Sequence, residues 1–234
     1  MGETGSGKEL VAEAVHALSS GPGRPFVAVN CAAIPAELFE SELFGHEAGA
    51  YTGARGVRIG LLESATGGTL FLDEIAEMPA QLQSKLLRAL ETRCFRRVGS
   101  NKDLPLNARV VVQVVFETGG RGLRPDLYYR IAGFSLSLPP LRERPADIDL
   151  LAGHFLASFR TRHPGVRPPG FEHALRALRA HDWPGNVRGL KLVAEHVAII
   201  CRNDVAGVAD VAAVLRGKPA ARVPEPRDEG PCAR

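Results

Sequence analysis

Apolar residues at Leu10, Val11, Ala14, Val15 and Leu18 share one face at helical spacing, so a helix is expected after a polar, glycine-rich start over residues 1–8. Phe26 to Asn30 (FVAVN) is a short run that predicts a buried strand. Residues 36–44 predict a helix, and a glycine-rich stretch over residues 45–56 interrupts the pattern. Leu70 to Asp73 (LFLD) predicts a strand that stops on an acid. Pro79 opens a helix whose Leu82, Leu86, Leu87 and Leu90 form an apolar stripe. The β-branched run over residues 109–116 (RVVVQVVF) predicts a further buried strand. Strands alternating with helices give an α/β fold with a mostly parallel sheet. After Pro139-Pro140 the pattern changes: residues 147–161, 171–181 and 187–201 predict helices, and no strand pattern remains. The expected organisation is therefore an α/β domain over 1–143, a small all-helical domain over 144–217 and a disordered tail over 218–234.

Composition narrows the function classes. Of 234 residues, 24% are charged and the formal net charge is only +3, which announces no DNA-binding surface or DNA-binding domain in the chain. Cys31, Cys94, Cys201 and Cys232 show no CxxC or zinc-ligand spacing, so reduced thiols in a cytoplasmic protein are expected. No apolar run is long enough to cross a bilayer, and the start lacks the apolar segment of a signal peptide, so no membrane role is expected.

Two stretches carry candidate chemistry. Residues 2–9 (GETGSGKE) fit the spacing GxxxxGK, with Gly2, Gly7 and Lys8 in the fixed positions and Glu3, Thr4, Gly5 and Ser6 between them. Glycines let backbone N–H groups turn inward and cradle phosphate oxygens, and the following helix points its positive end at the same place. Lys8 would reach the β- and γ-phosphates, while Glu9 stands where Ser or Thr usually ligates Mg²⁺. Taken alone, the stretch also reads as a flexible glycine-rich start. Residues 67–74 (GGTLFLDE) carry the chain out of a core strand onto two carboxylates. Asp73 would hold Mg²⁺ and Glu74 would polarise an attacking water, at the carboxyl end of a strand where ligands gather in open α/β sheets. Without the phosphate loop, the same residues read as a strand followed by an acidic helix cap.

A third stretch decides between kinds of ATPase. Residues 45–54 read GHEAGAYTGA, and Gly49, Ala50, Tyr51, Thr52, Gly53 and Ala54 resemble the GAFTGA loop of bacterial sigma-54-dependent transcription activators, with Tyr for the usual Phe. SELFGHEAGAYTGA, GGTLFLDEIAEMP, RPDLYYRI, LPPLRERPADIDLL and HDWPGNVRGLK follow in the order that family shows, so the resemblance covers residues 2 to about 216.

The resemblance implies a P-loop AAA+ core, a three-layer α/β structure with its first strand missing here, followed by a helical lid. It implies ATP and Mg²⁺ as cofactors, a ring-shaped homo-oligomer, usually a hexamer, and the sigma-54 RNA polymerase holoenzyme as the partner that ATP-driven loop movement remodels. By motif match, Asn30 in VNCAA is the switch residue that restrains the catalytic Glu, and its alternative is a turn cap. Arg124 and Arg130 in LRPDLYYR match arginines that reach a neighbouring subunit's ATP, and otherwise read as solvated helix-face residues. Arg188 in WPGNVRG matches the sensor arginine of the lid. Three departures bear on activity. The chain starts at the phosphate loop, so it reads as a fragment or truncated product. Val115 stands where the family has a sensor Asn, and Gly189 where it has Glu. Weak hydrolysis, or a relic that binds ATP or partners without efficient turnover, is therefore the alternative to a working remodeller.

Overall fold

A computed structural model describes residues 1–21, 23–114, 122–164, 170–201 and 205–216. Val115 and the expected tail over 218–234 lie outside them. The chain divides into two compact units, Met1–Pro140 and Leu141 onward.

In the first unit, α1 (Lys8–Ser20) precedes β1 (Phe26–Asn30), α2 (Ala36–Phe44), the short α3 (Leu61–Ser64) and β2 (Thr69–Asp73). Then come α4 (Ala80–Thr92), a small hairpin of β3 (Cys94–Phe95) and β4 (Leu104–Pro105), β5 (Arg109–Val112) and α5 (Pro125–Ile131). β1, β2 and β5 form a parallel sheet in the order β1-β2-β5. β2 is its middle strand, and Thr69, Leu70, Phe71 and Leu72 are all buried, which is why its sequence is continuously apolar rather than alternating. The register pairs Asn30 with Asp73, so both strands end level at their carboxyl ends. The core gathers Leu43, Leu62, Leu72, Ile75, Leu86 and Leu127. α4 buries Leu82, Leu86 and Leu90 as its stripe predicts, with Leu87 partly buried beside them. β5 is shorter than the run that predicted it, although Gln113 N still donates to Leu72 O at 2.8 Å.

α1 departs from expectation. Leu10 and Leu18 are exposed, and the helix instead buries Ala12 and turns His16 toward the sheet. The His16 ring lies against Phe26, with its Nδ1 at 2.9 Å from Thr69 Oγ1. Spacing identifies an apolar stripe but not which side of the helix the sheet lies on. In this helix the small residue sits where the backbone comes closest.

The second unit is helical, as expected: α6 (Pro145–Arg162), α7 (Leu175–Arg179), α8 (Asn186–Ile200) and α9 (Val208–Leu215). Its own core includes Leu141, Ile148, Ala152, Leu190, Val197 and Val211. α7 is shorter than the expected span of 171–181, because Phe171 is buried in a turn ahead of it and Ala174 N and Leu175 N both donate to its carbonyl. No helix among the described residues is long and apolar enough to cross a membrane.

Trp183 anchors this core. It is 1% exposed, its Nε1 donates to Leu178 O at 2.7 Å, and its backbone adopts a left-handed φ of 48°. Three residues on, Asn186 is fully buried, and its Oδ1 accepts from Leu141 N at 2.8 Å. Trp183→Ala should destabilise the helical unit by about 3–5 kcal/mol, the usual cost of emptying a buried aromatic site. Chemical denaturation followed by helical circular dichroism reads this, and a loss below about 1 kcal/mol would show that neighbouring helices close the gap.

Candidate functional site

The phosphate-loop candidate is built around one lysine. Gly7 caps α1 with a φ of 98°, a left-handed conformation that a side chain would strain. That turn delivers Lys8 as the first helical residue. Its side chain folds back into the loop, where Nζ donates to Gly2 O and Glu3 O, each at 2.7 Å. Ser6 Oγ closes the same loop by donating to Glu3 O at 2.8 Å. Lys8 is only 8% exposed, so a buried ammonium sits at the positive end of a 13-residue helix. Thr4 and Glu9 are exposed on the rim.

Asp73 and Glu74 complete the cluster from β2. Asp73 Oδ1 is buried and has no hydrogen-bond partner among the described residues. Burial, reinforced by the neighbouring charge of Glu74, holds the Asp73 carboxyl above its ordinary range, while the positive charge of Lys8 pulls the other way. Lys8 and Asp73 therefore share one electrostatic site. A buried, unpartnered carboxylate oxygen beside an ammonium suits a divalent cation, which would satisfy that oxygen and relieve the repulsion from Glu74. Glu74 has a φ of 52°, left-handed backbone that is uncommon outside glycine and tends to gather at functional sites. The turn carries Glu74 off the strand direction and into the 3₁₀ turn Ile75–Glu77.

Asn30 ends β1 opposite Asp73, and its Oδ1 accepts from Ala32 N at 2.8 Å, capping the turn Cys31–Ala33. That is the capping geometry, placed beside the acidic strand end. Cys31 is a wall residue the sequence reading missed. It is buried, and burial together with the charges of Asp73 and Glu74 pushes its thiol up to about 12. Nothing in a lone cysteine next to Asn30 announces that proximity.

The arginines lie elsewhere. Arg124 caps α5, pairs bidentately with Asp126 at 2.6 and 3.1 Å, and donates to Ser84 Oγ at 2.9 Å. Arg130, at the end of the same helix, donates to Leu90 O at 3.1 Å. These bonds tie both arginines to α4 and α5, and none reaches Lys8 or Asp73. Arg188 is exposed on the first turn of α8, in the helical unit.

The GAYTGA stretch is a closed loop. His46 and Arg58 exchange both backbone hydrogen bonds, at 3.0 and 2.8 Å, so residues 47–57 leave and return at one point. At that base a Cβ on Gly60 would lie 2.3 Å from Gly45 N, so the two backbones touch and no side chain fits between them. Arg97 braces the base, donating to both Glu63 oxygens at 2.8 and 3.0 Å and to Glu47 at 3.0 Å. Inside the loop, Gly49 N donates to Ala54 O and Ala54 N to Tyr51 O. Tyr51, Thr52 and Gly53 form the exposed tip, while Ala54 is buried. A cavity of about 560 Å³ opens between α2, α4 and the hairpin, lined by Lys85, Arg88 and Arg96 among others, and no phosphate-loop residue lines it.

Comparison with known proteins places this geometry. The model of the sigma-54 interaction domain matches residues 1–137. The chain belongs to the sigma-54 interaction domain family. An AAA+ ATPase lid domain model matches residues 142–227. Among curated relatives of this sigma-54 module, the regulator SfnR of Pseudomonas fluorescens is 48% identical over 212 residues, 88% of the chain and 57% of SfnR. The C4-dicarboxylate transport regulator DctD of Rhizobium meliloti is 52% identical over 203 residues, 85% of the chain and 44% of DctD. Both are transcriptional regulators, and the module spans about half of their length. The crystal structure of NtrX from Brucella abortus in complex with ADP aligns over 96% of the chain and 51% of NtrX, with a TM-score of 0.78 and 35% identity. NtrX in complex with ATP aligns equally well, with a TM-score of 0.78.

Proposed function

We propose that this module binds ATP with Mg²⁺ through residues 2–9 and Asp73, hydrolyses it with the help of Glu74, and uses the cycle to press the GAYTGA tip against the sigma-54 RNA polymerase holoenzyme. The observations that carry the reading are the buried Lys8 ammonium, held by its own loop carbonyls, and the unpartnered Asp73 Oδ1, whose carboxyl feels the Lys8 charge. NtrX, a relative of similar fold, has been crystallised with ADP and with ATP.

The chain's residues divide the work. Lys8 exchanges the carbonyls of Gly2 and Glu3 for phosphate oxygens, keeping its hydrogen bonds charge-assisted. Gly5 and Gly7 leave the loop backbone free to approach the phosphates. Asp73 and the phosphates would hold Mg²⁺, which rarely takes more than one or two protein carboxylates in nucleotide sites and would supply charge neutralisation there. Glu74 accepts the proton of the attacking water. Asn30 restrains Glu74, a role supported by its level with Asp73 at the neighbouring strand end. Arg124, Arg130 and Arg188 act on a nucleotide only when copies assemble or the lid closes, so activity belongs to a cytoplasmic ring, a hexamer by family pattern.

Thr52→Ala tests the partner half of this reading. The tip is exposed and tied to the body through the loop base, so the variant should keep its ATP turnover within about twofold while losing the sigma-54 complex trapped with a γ-phosphate mimic. Co-sedimentation with purified sigma-54 and a phosphate-release assay read the two halves. A trapped complex that survives both Thr52→Ala and Tyr51→Ala would remove the loop from the contact.

A further inference from the structure

The sequence singles out Tyr51 at the loop tip, but the structure shows a side chain behind it that the proposed function leaves unused. His46 is 7% exposed. Its backbone is bridged on two sides, antiparallel to Arg58 and parallel to Val98. Its ring is fixed from α2, where Ser41 Oγ, itself buried, lies 2.6 Å from His46 Nδ1. The Tyr51 ring meets this immobilised imidazole edge-on, with centroids 5.1 Å apart and planes at 68°. Tyr51 remains 45% exposed, so one part of its ring rests on His46 and the rest faces solvent.

The surroundings make this contact decisive for the tip. Gly49 and Gly53 flank Tyr51 with φ of 79° and 107°, and a Cβ at either would meet nothing within 4 Å. The tip backbone is therefore unpacked on both sides of the aromatic residue. The body meets the loop at Ala50, which lies against Gly99, at the buried Ala54, and through the ring of Tyr51. A buried histidine hydrogen-bonded to a serine is often only a satisfied core residue. Here the ring is aimed at the one aromatic side chain of the loop that the proposed function presses against its partner.

We propose that His46, oriented by Ser41, is a positioning residue that holds Tyr51 folded against the body, so that the strength of the His46–Tyr51 contact sets how readily the tip reaches its partner. The inference rests on the reading that the GAYTGA tip contacts sigma-54. Edge-on ring pairs contribute modestly, so the contact biases the tip rather than locking it, and losing it shifts the released population on the order of 3–10-fold. Serine holds the imidazole at one angle. Without it the ring turns and the edge-on geometry is lost.

The test uses the full chain with ring-¹³C tyrosine. The sequence has three tyrosines, and Tyr51→Phe identifies the Tyr51 signal. In His46→Leu that signal should move toward the position of free tyrosine, and sigma-54 retained without nucleotide should rise about 3–10-fold. His46→Phe, which keeps a ring but cannot bond Ser41, should recover the unaltered behaviour only in part. Ser41→Ala, which leaves the loop sequence untouched, should shift both readouts in the same direction by less, and it serves if His46→Leu fails to fold. An unmoved Tyr51 signal in both His46→Leu and Ser41→Ala overturns the proposal. So does unchanged nucleotide-free retention where the unaltered chain captures sigma-54 with a γ-phosphate mimic. If the unaltered chain captures no sigma-54 in any nucleotide state, the parent reading fails, and the Tyr51 signal reports separately whether His46 holds the ring.

Discussion

Lys8→Ala should cost this chain roughly two orders of magnitude or more in ATP affinity, because hydrogen bonds between charged groups contribute about 1.5–3 kcal/mol each and Lys8 offers at least two. The loss has a second source. The ammonium also organises the free loop by holding Gly2 O and Glu3 O. Alanine takes that donor from Gly2 O and leaves Glu3 O to Ser6 alone, so the loop loses part of what holds its curvature. Isothermal calorimetry with ATP and Mg²⁺ measures the effect, and far-ultraviolet circular dichroism confirms that α1 persists. Binding within about threefold of the unaltered chain would mean that nucleotide, if held at all, is held elsewhere.

Glu74→Gln should leave ATP affinity nearly intact and lower kcat by about 10²–10⁴, the usual contribution of a positioned general base. The backbone makes this a clean comparison. Glu74 sits at a φ of 52°, and glutamine has the same branching and tolerates that conformation as well as glutamate does. The substitution therefore removes basicity without adding strain, whereas a β-branched residue would change both at once. Single-turnover phosphate release separates chemistry from product release. If the variant turns over at the unaltered rate, Glu74 is a turn residue and another group activates the water.

Much of this site was legible because its determinants are local. Gly2 to Lys8 is one loop whose spacing is its geometry, and Leu70 to Asp73 shows a core strand meeting solvent within four residues. The α4 stripe was equally plain: of its four leucines at helical spacing, Leu82, Leu86 and Leu90 are buried. What stayed hidden depends on where the chain turns back and which segments then meet. Ser41 and His46 become partners only when α2 ends at Gly45 and the chain doubles back. Arg97 reaches Glu47 and Glu63 from a hairpin far along the sequence. The misread face of α1 has the same origin: Leu10 and Leu18 make a convincing stripe, but the sheet was on the side of Ala12. Asn30 was legible in two ways, and its bond to Ala32 N follows the turn-capping one while its level with Asp73 leaves the other role open to test.

The doubled backbone bond between His46 and Arg58 has a consequence for engineering. Two residues that exchange both hydrogen bonds are the pair that a two-residue type I′ turn spans. The eleven residues between them can therefore be exchanged for Asn-Gly without moving either neighbour. Arg97 would lose Glu47 but keep its fork on Glu63. The loop that carries the GAYTGA tip is thus a detachable cassette on the frame below it. Loops of other sequence, or an unrelated epitope, can be mounted at the same two residues.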